Sequence, residues 1–407
     1  MNIEKDFKKK LKEISDILDD KTFENKEVGV LSGVSGIALF QFYYAKFLDD
    51  DTHADKGADI ITKAVELINE GFTYPTFCTG IAGACWVLEI LKEEEFVELE
   101  DDFLSSDLDE YLLSAMRADI ETENFDFLHG AMGYGFYFLK RYQNTTSLVL
   151  KEGYKEYLDE LINAFKKTAK KNDRGVWWES ILKKEDNLRG CNLSLSHGIS
   201  STINFLSRIA EHEEFYDDVN EVLTQTVKFI LSYKNRDITE SSQFPSWIVE
   251  EKENNVNYYS RLAWCYGDLG VGISLLHAGE TLKDEELKNE AIAILKHSTK
   301  RRDIKEAGVM DAGLCHGAYG ILHIYNYLYR KTKEIIFKET ADHWAEQALI
   351  MGTHEKGYAG YMVWRGSDEE KWKNEESLLE GIAGIGLSII SYLAPFDTKW
   401  DECLLIS

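Results

Sequence analysis

A short glycine motif recurs seven times along the 407-residue chain and constrains its fold more than any other feature. Each copy has a polar turn, then G-x-x-G or a close variant, then an apolar stretch with helical periodicity. Successive copies lie 47 to 69 residues apart, with first glycines at Gly33, Gly80, Gly130, Gly198, Gly267, Gly317 and Gly381. This period, with little strand-like alternation, is typical of a repeated helix pair rather than a propeller blade.

Each motif is expected to open an apolar helix, for example 34–47, 81–92 and 318–331, after a more charged amphipathic helix. The predicted charged helices are 4–19, 57–70, 100–119, 154–170, 216–233, 283–300 and 335–350. The difference in polarity places the motif helices in an inner ring and the charged helices in an outer ring. We therefore predict an all-α fold, an α/α toroid of seven helix-pair repeats in two concentric rings, as a single domain over residues 1–407. Glycine in the motifs is expected to let backbones approach closely and to permit loop dihedrals that a Cβ would forbid.

The two longest gaps between motifs carry extra aromatic material. Residues 171–191 contain RGVWWES and residues 237–260 contain QFPSWIVEE, and both segments resemble strands. We expect them to be small insertions that form a β-containing outgrowth. The segment GYAGYMVWRG at 357–366 predicts a further hairpin.

The formal charge of −26 argues against some partners, because such a surface repels the phosphates of nucleic acids and anionic lipids. The N-terminal stretch is too charged for the apolar core of a signal peptide, and we expect a cytoplasmic protein. Thiols stay reduced there, so the six cysteines indicate metal binding, catalysis or burial rather than disulfides.

Aligning the motifs on their first glycine reveals a polar position directly before it. The residues at this position are Ser32, Thr79, His129, His197, Tyr266, His316 and Glu380. A hydrophobic core would not select this set, so we expect these turns to line a site at one end of the ring.

Two cysteines one position earlier predict a metal site. Cys265 and Cys315 occupy the same register in consecutive repeats, and His316 follows Cys315 directly. Two thiolates and one imidazole favour Zn²⁺, one ion per chain, with a fourth position open for water or substrate. Iron or copper is the less natural alternative for this ligand set. The alternative for any lone cysteine is a buried small hydrophobe. We apply that interpretation to Cys78, Cys85, Cys191 and Cys403.

Further candidate residues surround this cluster. His197 is the natural proton carrier, because imidazole titrates near neutral pH. Asp126 and Arg261 belong to turns that face the same end of the ring, and Trp264 and Tyr266 flank Cys265 and could wall the site. A structural histidine and ordinary surface charges are the alternatives.

Four of the motifs resemble the lanthionine synthetase C family, the stand-alone cyclases of class I lanthipeptide biosynthesis. They are RLAWCYGDLG (261–270), GLCHGAYG (313–320), LSLSHGIS (193–200) and LLEGIAG (378–384), and the resemblance covers essentially the whole chain. It implies a toroid of two seven-helix rings, sometimes with a small SH2-like outgrowth. One departure is Ser201, where the family usually has the second glycine of the motif, which could shift the helix after His197.

The resemblance implies an activity and a set of residue roles. The family adds cysteine thiols of a dehydrated lanthipeptide precursor across dehydroalanine or dehydrobutyrine, which closes (methyl)lanthionine rings. Cys265, Cys315 and His316 then correspond to the zinc ligands, and His197 and Asp126 to the active-site histidine and aspartate. Arg261, Trp264 and Tyr266 match the arginine, tryptophan and tyrosine around the first zinc cysteine. Association with a dehydratase and an ABC exporter, and through them with the membrane, is implied in the same way.

Three other functions stay open at this stage. The chain could be a LanC-like protein that adds or binds glutathione and other thiols. It could be a carbohydrate-active α/α barrel, although that chemistry needs paired carboxylates and only Glu380 lies in register. It could also be a helical-repeat scaffold without catalytic activity.

Overall fold

A computed structural model describes residues 2–21, 25–100, 103–183, 187–237, 239, 241–249, 256–366 and 371–407. Fifteen α-helices lie within these ranges, and all the predicted ones are among them. In chain order they are α1 (Ile3–Lys21), α2 (Val34–Leu48), α3 (Asp51–Asn69), α4 (Ile81–Glu93), α5 (Ser106–Glu121), α6 (Ala131–Asn144), α7 (Leu148–Thr168), α8 (Ile199–Ala210), α9 (Glu213–Ser232), α10 (Asp268–Thr281), α11 (Glu285–Ser298), α12 (Ile304–Ala307), α13 (Ala318–Thr332), α14 (Ile335–Met351) and α15 (Ile382–Leu393). A 3-10 helix follows at Trp400–Leu404.

The helices pair differently from the sequence-based expectation. A motif helix packs against the charged helix that follows it, as in α2 with α3, α8 with α9, α10 with α11 and α13 with α14. Helix α1, expected to partner α2, packs against α15 instead. The reason is loop length, because only two or three residues separate the helices of each such pair, and short connections favour antiparallel neighbours.

The predicted difference in burial between the two kinds of helix is confirmed. Every residue of α8, a motif helix, is buried. Helix α11, a charged helix, buries only five of its fourteen residues, at the spacing of a single helical face.

The loops before the motif helices satisfy the amide groups at the helix starts. An unpaired helix N-terminus leaves its first amides without partners. Here the carbonyl six residues before the first glycine accepts the N–H of the residue after that glycine. This bond occurs at Val34–Glu27, Ile81–Tyr74, Ala131–Asn124, Ala318–Asp311 and Ile382–Glu375, with lengths of 2.9 to 3.1 Å.

Close backbone approach, more than unusual dihedrals, explains the glycines of the motifs. Only Gly267 has a positive φ among the seven first glycines, at 87°, so the expectation about loop dihedrals holds for that motif alone. At Gly384, a second glycine, an added Cβ would collide with the carbonyl oxygen of Leu378. Ser201 departs from this pattern without displacing its helix, because α8 begins directly after Gly198 as the other motif helices begin after their glycines. The Ser201 hydroxyl donates a 2.7 Å hydrogen bond to the Gly198 carbonyl.

The two aromatic insertions do form small sheets. The first contributes four strands, β1 (Lys170–Asn172), β2 (Gly175–Trp177), β3 (Ser180–Lys183) and β4 (Leu188–Asn192), and the second contributes β5 (Trp247–Ile248). Strand β4 pairs antiparallel with both β3 and β5, which joins the insertions in one three-stranded sheet. Residues 250–255 of the second insertion lie outside the described residues. Its likeness to an SH2 domain stays a prediction.

The hairpin expected at 357–366 is longer than predicted. Strand β6 (Val363–Trp364) pairs with β7 (Trp372–Lys373), beyond the predicted segment. Trp364 and Trp372 lie directly opposite each other in the two strands. Because cross-strand aromatic pairs stabilise a sheet, this pair explains why β6 takes its partner from residues after the predicted segment.

The described chain divides into two compact units, each assembled from segments that are distant in sequence. One contains Met1–Leu113, Gln143–Ser147 and Val309–Ser407, and the other contains Ser114–Tyr142 and Leu148–Gly308. The organisation as one domain over 1–407 stays a prediction. In the described part of the chain, no helix combines the length and apolar character that a bilayer crossing requires.

Candidate metal and proton-transfer site

Backbone hydrogen bonds join motif turns in the first unit. The Cys315 N–H donates to the Leu379 carbonyl at 3.0 Å, and the Leu379 N–H donates to the Leu31 carbonyl at 2.8 Å. The Leu31 N–H donates to the Cys78 carbonyl at 3.0 Å. All four residues occupy the position two before a motif glycine. The turns of motifs six, seven, one and two therefore lie in the predicted register, and the last motif neighbours the first.

A related bond joins two motifs of the second unit. The N–H of Leu195, three residues before Gly198, donates a 3.0 Å hydrogen bond to the carbonyl of Cys265, just as the N–H of Leu314, three before Gly317, donates to the Leu379 carbonyl at 3.1 Å. The fourth motif, which carries His197, thus lies beside the fifth. The other four cysteines are buried, which agrees with their assignment to the core: Cys78, Cys85, Cys191 and Cys403.

Cys265, Cys315 and His316 form a group of potential metal ligands. The Sγ atoms and an imidazole nitrogen lie within 4.8 Å of one another. Cys265 is 5% exposed, and Cys315 and His316 are partly exposed. Two sulfurs and one nitrogen at this spacing suit a tetrahedral Zn²⁺ ion and leave one coordination position open. The donor set therefore fits the predicted metal in both chemistry and spacing.

A buried carboxylate accompanies the His316 imidazole. Asp311 Oδ2 lies 3.4 Å from His316 Nε2, and the Asp311 side chain is only 2% exposed. The amides of Gly313 and Trp364 donate 3.1 Å hydrogen bonds to Oδ1 and Oδ2 respectively. Burial raises the pKa of Asp311, but the hydrogen bond and charge of His316 and the two amides outweigh it, so that the pKa lies below its usual value. The carboxylate is thus charged at neutral pH.

His197 and Asp126 form a second pair of ionisable side chains. His197 Nδ1 lies 2.6 Å from Asp126 Oδ2, and Asp126 Oδ1 accepts hydrogen bonds from the amides of Leu128 and His129 at 2.9 and 2.8 Å. Burial lowers the pKa of His197, but the hydrogen bond and charge of Asp126 outweigh it and raise that pKa above its ordinary value. Burial raises the pKa of Asp126, and the His197 interaction reverses this and lowers it. The pair therefore favours an imidazolium beside a carboxylate.

His129 stacks beside His197, with ring centroids 6.2 Å apart and planes 20° apart. Burial lowers the pKa of His129, and the neighbouring charge of His197 lowers it further. The two histidines therefore favour different protonation states, with the proton held on His197.

The three remaining predicted residues lie around Cys265 in the second unit. Trp264 is fully buried, whereas Arg261 and Tyr266 are partly exposed. The Tyr266 hydroxyl accepts a 3.3 Å hydrogen bond from Asn192 Nδ2. Burial raises the pKa of Tyr266, and the charge on a Cys265 thiolate adds to that increase, which keeps the phenol protonated.

Asp311 and Asn192 were not selected in the sequence analysis. Each lies six residues before a first glycine, as Arg261 does in the fifth motif. The polar residue directly before each glycine indicates a site at the turn itself and does not point to this earlier position. The shared offset of six residues would have identified both residues.

Comparisons with known proteins agree with this arrangement. The family model described as Lanthionine synthetase C-like protein matches residues 24–405. The Nisin biosynthesis protein NisC of Lactococcus lactis subsp. lactis is 24% identical over 441 aligned residues, which cover 99% of this chain and 96% of that protein. A solved structure of nisin cyclase superimposes with a TM-score of 0.74 at 20% identity and covers 98% of this chain and 97% of its own. This similarity confirms the predicted α/α toroid fold class. Because the family model spans most of the sequence, the chain belongs to the lanthionine synthetase C-like family.

Proposed function

We propose that this protein is a zinc-dependent lanthionine cyclase that closes thioether rings in a dehydrated precursor peptide. The observation that carries the proposal is the grouping of two thiols and one imidazole within 4.8 Å, beside motifs of this family. The similarity to a nisin biosynthesis protein supports a peptide substrate. A dehydratase that prepares the peptide and an ABC exporter that removes it are the partners we propose, with the cytoplasm as the location.

In this proposal Cys265, Cys315 and His316 bind one Zn²⁺ ion. A bound zinc ion would supply Lewis acidity that keeps a substrate cysteine deprotonated at a pH where a free thiol, with a pKa near 8.5, is mostly protonated. The two protein thiolates lower the net positive charge of the centre, which favours a nucleophilic sulfur.

The reaction is an addition without a leaving group. The sulfur forms a bond to the β-carbon of the dehydroamino acid, the double bond shifts its electrons toward the neighbouring carbonyl, and a proton reaches the α-carbon. His197 is suited to deliver that proton, because Asp126 raises its pKa and binds its Nδ1, which leaves the proton on Nε2 as the one to be transferred. Asp126 thereby fixes the orientation of the ring.

The residues around Cys265 would stabilise and enclose the reacting peptide. The guanidinium of Arg261 can donate to the carbonyl oxygen on which negative charge develops, and a well-placed donor of this kind typically contributes about 3 kcal/mol. Tyr266 can donate as a neutral phenol, since its pKa is raised. Trp264 would provide an apolar wall that limits access of water.

A single incubation tests the proposal. The purified protein is mixed with a precursor peptide that carries dehydroalanine, and free thiols are alkylated before mass spectrometry. We expect thiols to disappear in step with ring formation, and we expect Cys315→Ala to lose both zinc and activity, whereas the core variant Cys85→Ala retains both. In a parallel incubation that contains glutathione, addition of glutathione to the peptide without ring closure would instead support the thiol-addition alternative. Full cyclisation by Cys315→Ala would contradict the proposed mechanism.

A further inference from the structure

Asp311 has an environment that a simple turn residue does not need. Its side chain is 2% exposed, and burying a carboxyl group is costly unless hydrogen bonds compensate for it. Two backbone amides donate to its oxygens, and the His316 ring lies against Oδ2. One carboxylate oxygen, Oδ1, is enough to cap the turn, because it accepts the Gly313 amide. The second oxygen, Oδ2, faces the His316 imidazole.

The hairpin that precedes the seventh motif holds one of these donors in place. The Trp364 amide donates to Asp311 Oδ2 from strand β6. On one side of it, the Tyr361 hydroxyl lies 2.9 Å from the Tyr319 hydroxyl of α13, the helix that begins just after His316. On the other side, Arg365 Nη1 lies 2.7 Å from Glu380 Oε2. The strand is thus fixed on both sides of Trp364, and the position of the Asp311 carboxylate is fixed with it.

We propose that Asp311 is a positioning residue that orients the His316 imidazole for metal binding. A hydrogen on Nε2 that points toward the carboxylate selects the tautomer in which Nδ1 carries the lone pair, so that Nδ1 is the ligand atom. Ligand histidines commonly donate their second ring nitrogen to a carboxylate, and removal of that partner typically weakens metal affinity by roughly 10- to 100-fold. This inference rests on the proposed zinc site and adds the residue that orients one of its ligands.

The fifth motif offers no equivalent arrangement, which agrees with this role. The residue at the same offset there is Arg261, the residue in register with His316 is Tyr266, and the proposed ligand is the sulfur of Cys265 one position earlier. A thiolate needs no choice of tautomer, whereas an imidazole does. A carboxylate is therefore needed at the sixth motif, where the imidazole lies, and an arginine can occupy the position at the fifth.

Zinc affinity, measured by competition with a chromophoric chelator, tests this inference without any assay of ring closure. We expect Asp311→Asn to bind zinc roughly 10- to 100-fold more weakly than the wild type. The matched control is Asp303→Asn. Asp303 also accepts two backbone amides, those of Lys305 and Glu306 at 2.9 Å, and neither of these two bonds involves a histidine. We expect the control to bind zinc as the wild type does.

A double-mutant cycle separates positioning from a general structural effect. If Asp311 acts through His316, Asp311→Asn should weaken zinc binding in the wild type but not in a His316→Ala background. The Co²⁺-substituted proteins provide a second readout, in which Asp311→Asn should alter the visible ligand-field bands and Asp303→Asn should not. If Asp311→Asn does not fold, Asp311→Glu, which keeps the charge, is measured in its place, with intermediate affinity expected.

Two results would overturn the inference. One is wild-type zinc affinity in Asp311→Asn, or wild-type affinity in Asp311→Glu where that variant is the one measured. The other is the same loss of affinity in the presence and absence of His316. In both cases a wild-type protein that binds one zinc ion through Cys265 and Cys315 would leave the proposed function intact. Absence of zinc from the wild type would remove the proposed metal site itself, and the positioning role with it.

Discussion

The pair of His197 and Asp126 leads to a quantitative prediction for Asp126→Asn. This substitution preserves the shape of the side chain and an oxygen that can accept from the amides of Leu128 and His129, but it removes the charge beside His197. Hydrogen bonds to charged groups contribute roughly 1.5 to 3 kcal/mol and neutral ones roughly 0.5 to 1.5 kcal/mol. The side chains are 36% and 21% exposed, so solvent weakens the interaction. We therefore expect a loss of about 0.5 to 1.5 kcal/mol, which corresponds to a roughly 2- to 13-fold slower proton-transfer step.

The assay is single-turnover ring closure on a dehydrated peptide, monitored by mass spectrometry over a range of pH. Protonated His197 is the acid in the proposed mechanism, so the rate should fall as the pH rises through its raised pKa. In Asp126→Asn that fall should begin at lower pH, because the carboxylate that raises the pKa is gone. Zinc content should be unchanged.

Asp303→Asn is again the matched control, since Asp303 accepts the amides two and three residues after it, as Asp126 does. A rate for Asp126→Asn equal to that of the control, with the same pH profile, would refute the role of this pair in proton transfer.

Three further predictions concern stability and metal. Gly384→Ala should destabilise the protein by about 1 to 3 kcal/mol in urea denaturation, because its Cβ would overlap the carbonyl of Leu378. The control Gly153→Ala, where no atom lies within 4 Å of the added Cβ, should be neutral or stabilising. Equal effects of the two substitutions would contradict the close-approach explanation. The difference in unfolding free energy between the wild type and Asp126→Asn should be largest between the two pKa values of the pair. It should disappear as the pH falls through the lowered pKa of Asp126, and also as the pH rises through the raised pKa of His197. A difference independent of pH would show that the ion pair is not its source. Removal of zinc with a chelator should lower the melting temperature of the wild type, because a ligand that binds only the native state stabilises it, and should leave that of Cys315→Ala unchanged.

The helix pairing shows where sequence periodicity was informative and where it was not. Periodicity located the helices and separated buried from half-exposed ones, because one turn of helix repeats every 3.6 residues. It did not reveal which neighbour each helix packs against. Helix α1 contacts α15, at the other end of the chain, and this contact depends on how the first and last repeats meet. The hydrogen bond from the Leu379 amide to the Leu31 carbonyl is a consequence of the same meeting.

The sequence by itself determined the all-α repeat architecture and the identity of the cysteines and histidines in the aligned turns, and the structure confirms the register of those turns for motifs six, seven, one and two. These features follow from local spacing, which a helix converts directly into a face or an end. Only the tertiary structure decided the carboxylate of Asp311 beside His316 and the hairpin amide at Trp364, and it supplied the 2.6 Å contact between Asp126 and His197, two residues that the family resemblance had already selected. Each of these contacts joins side chains or amides through distances and orientations that depend on packing. A pattern of residue types encodes which groups are available, whereas the geometry that sets their pKa values and tautomers exists only after the chain has folded.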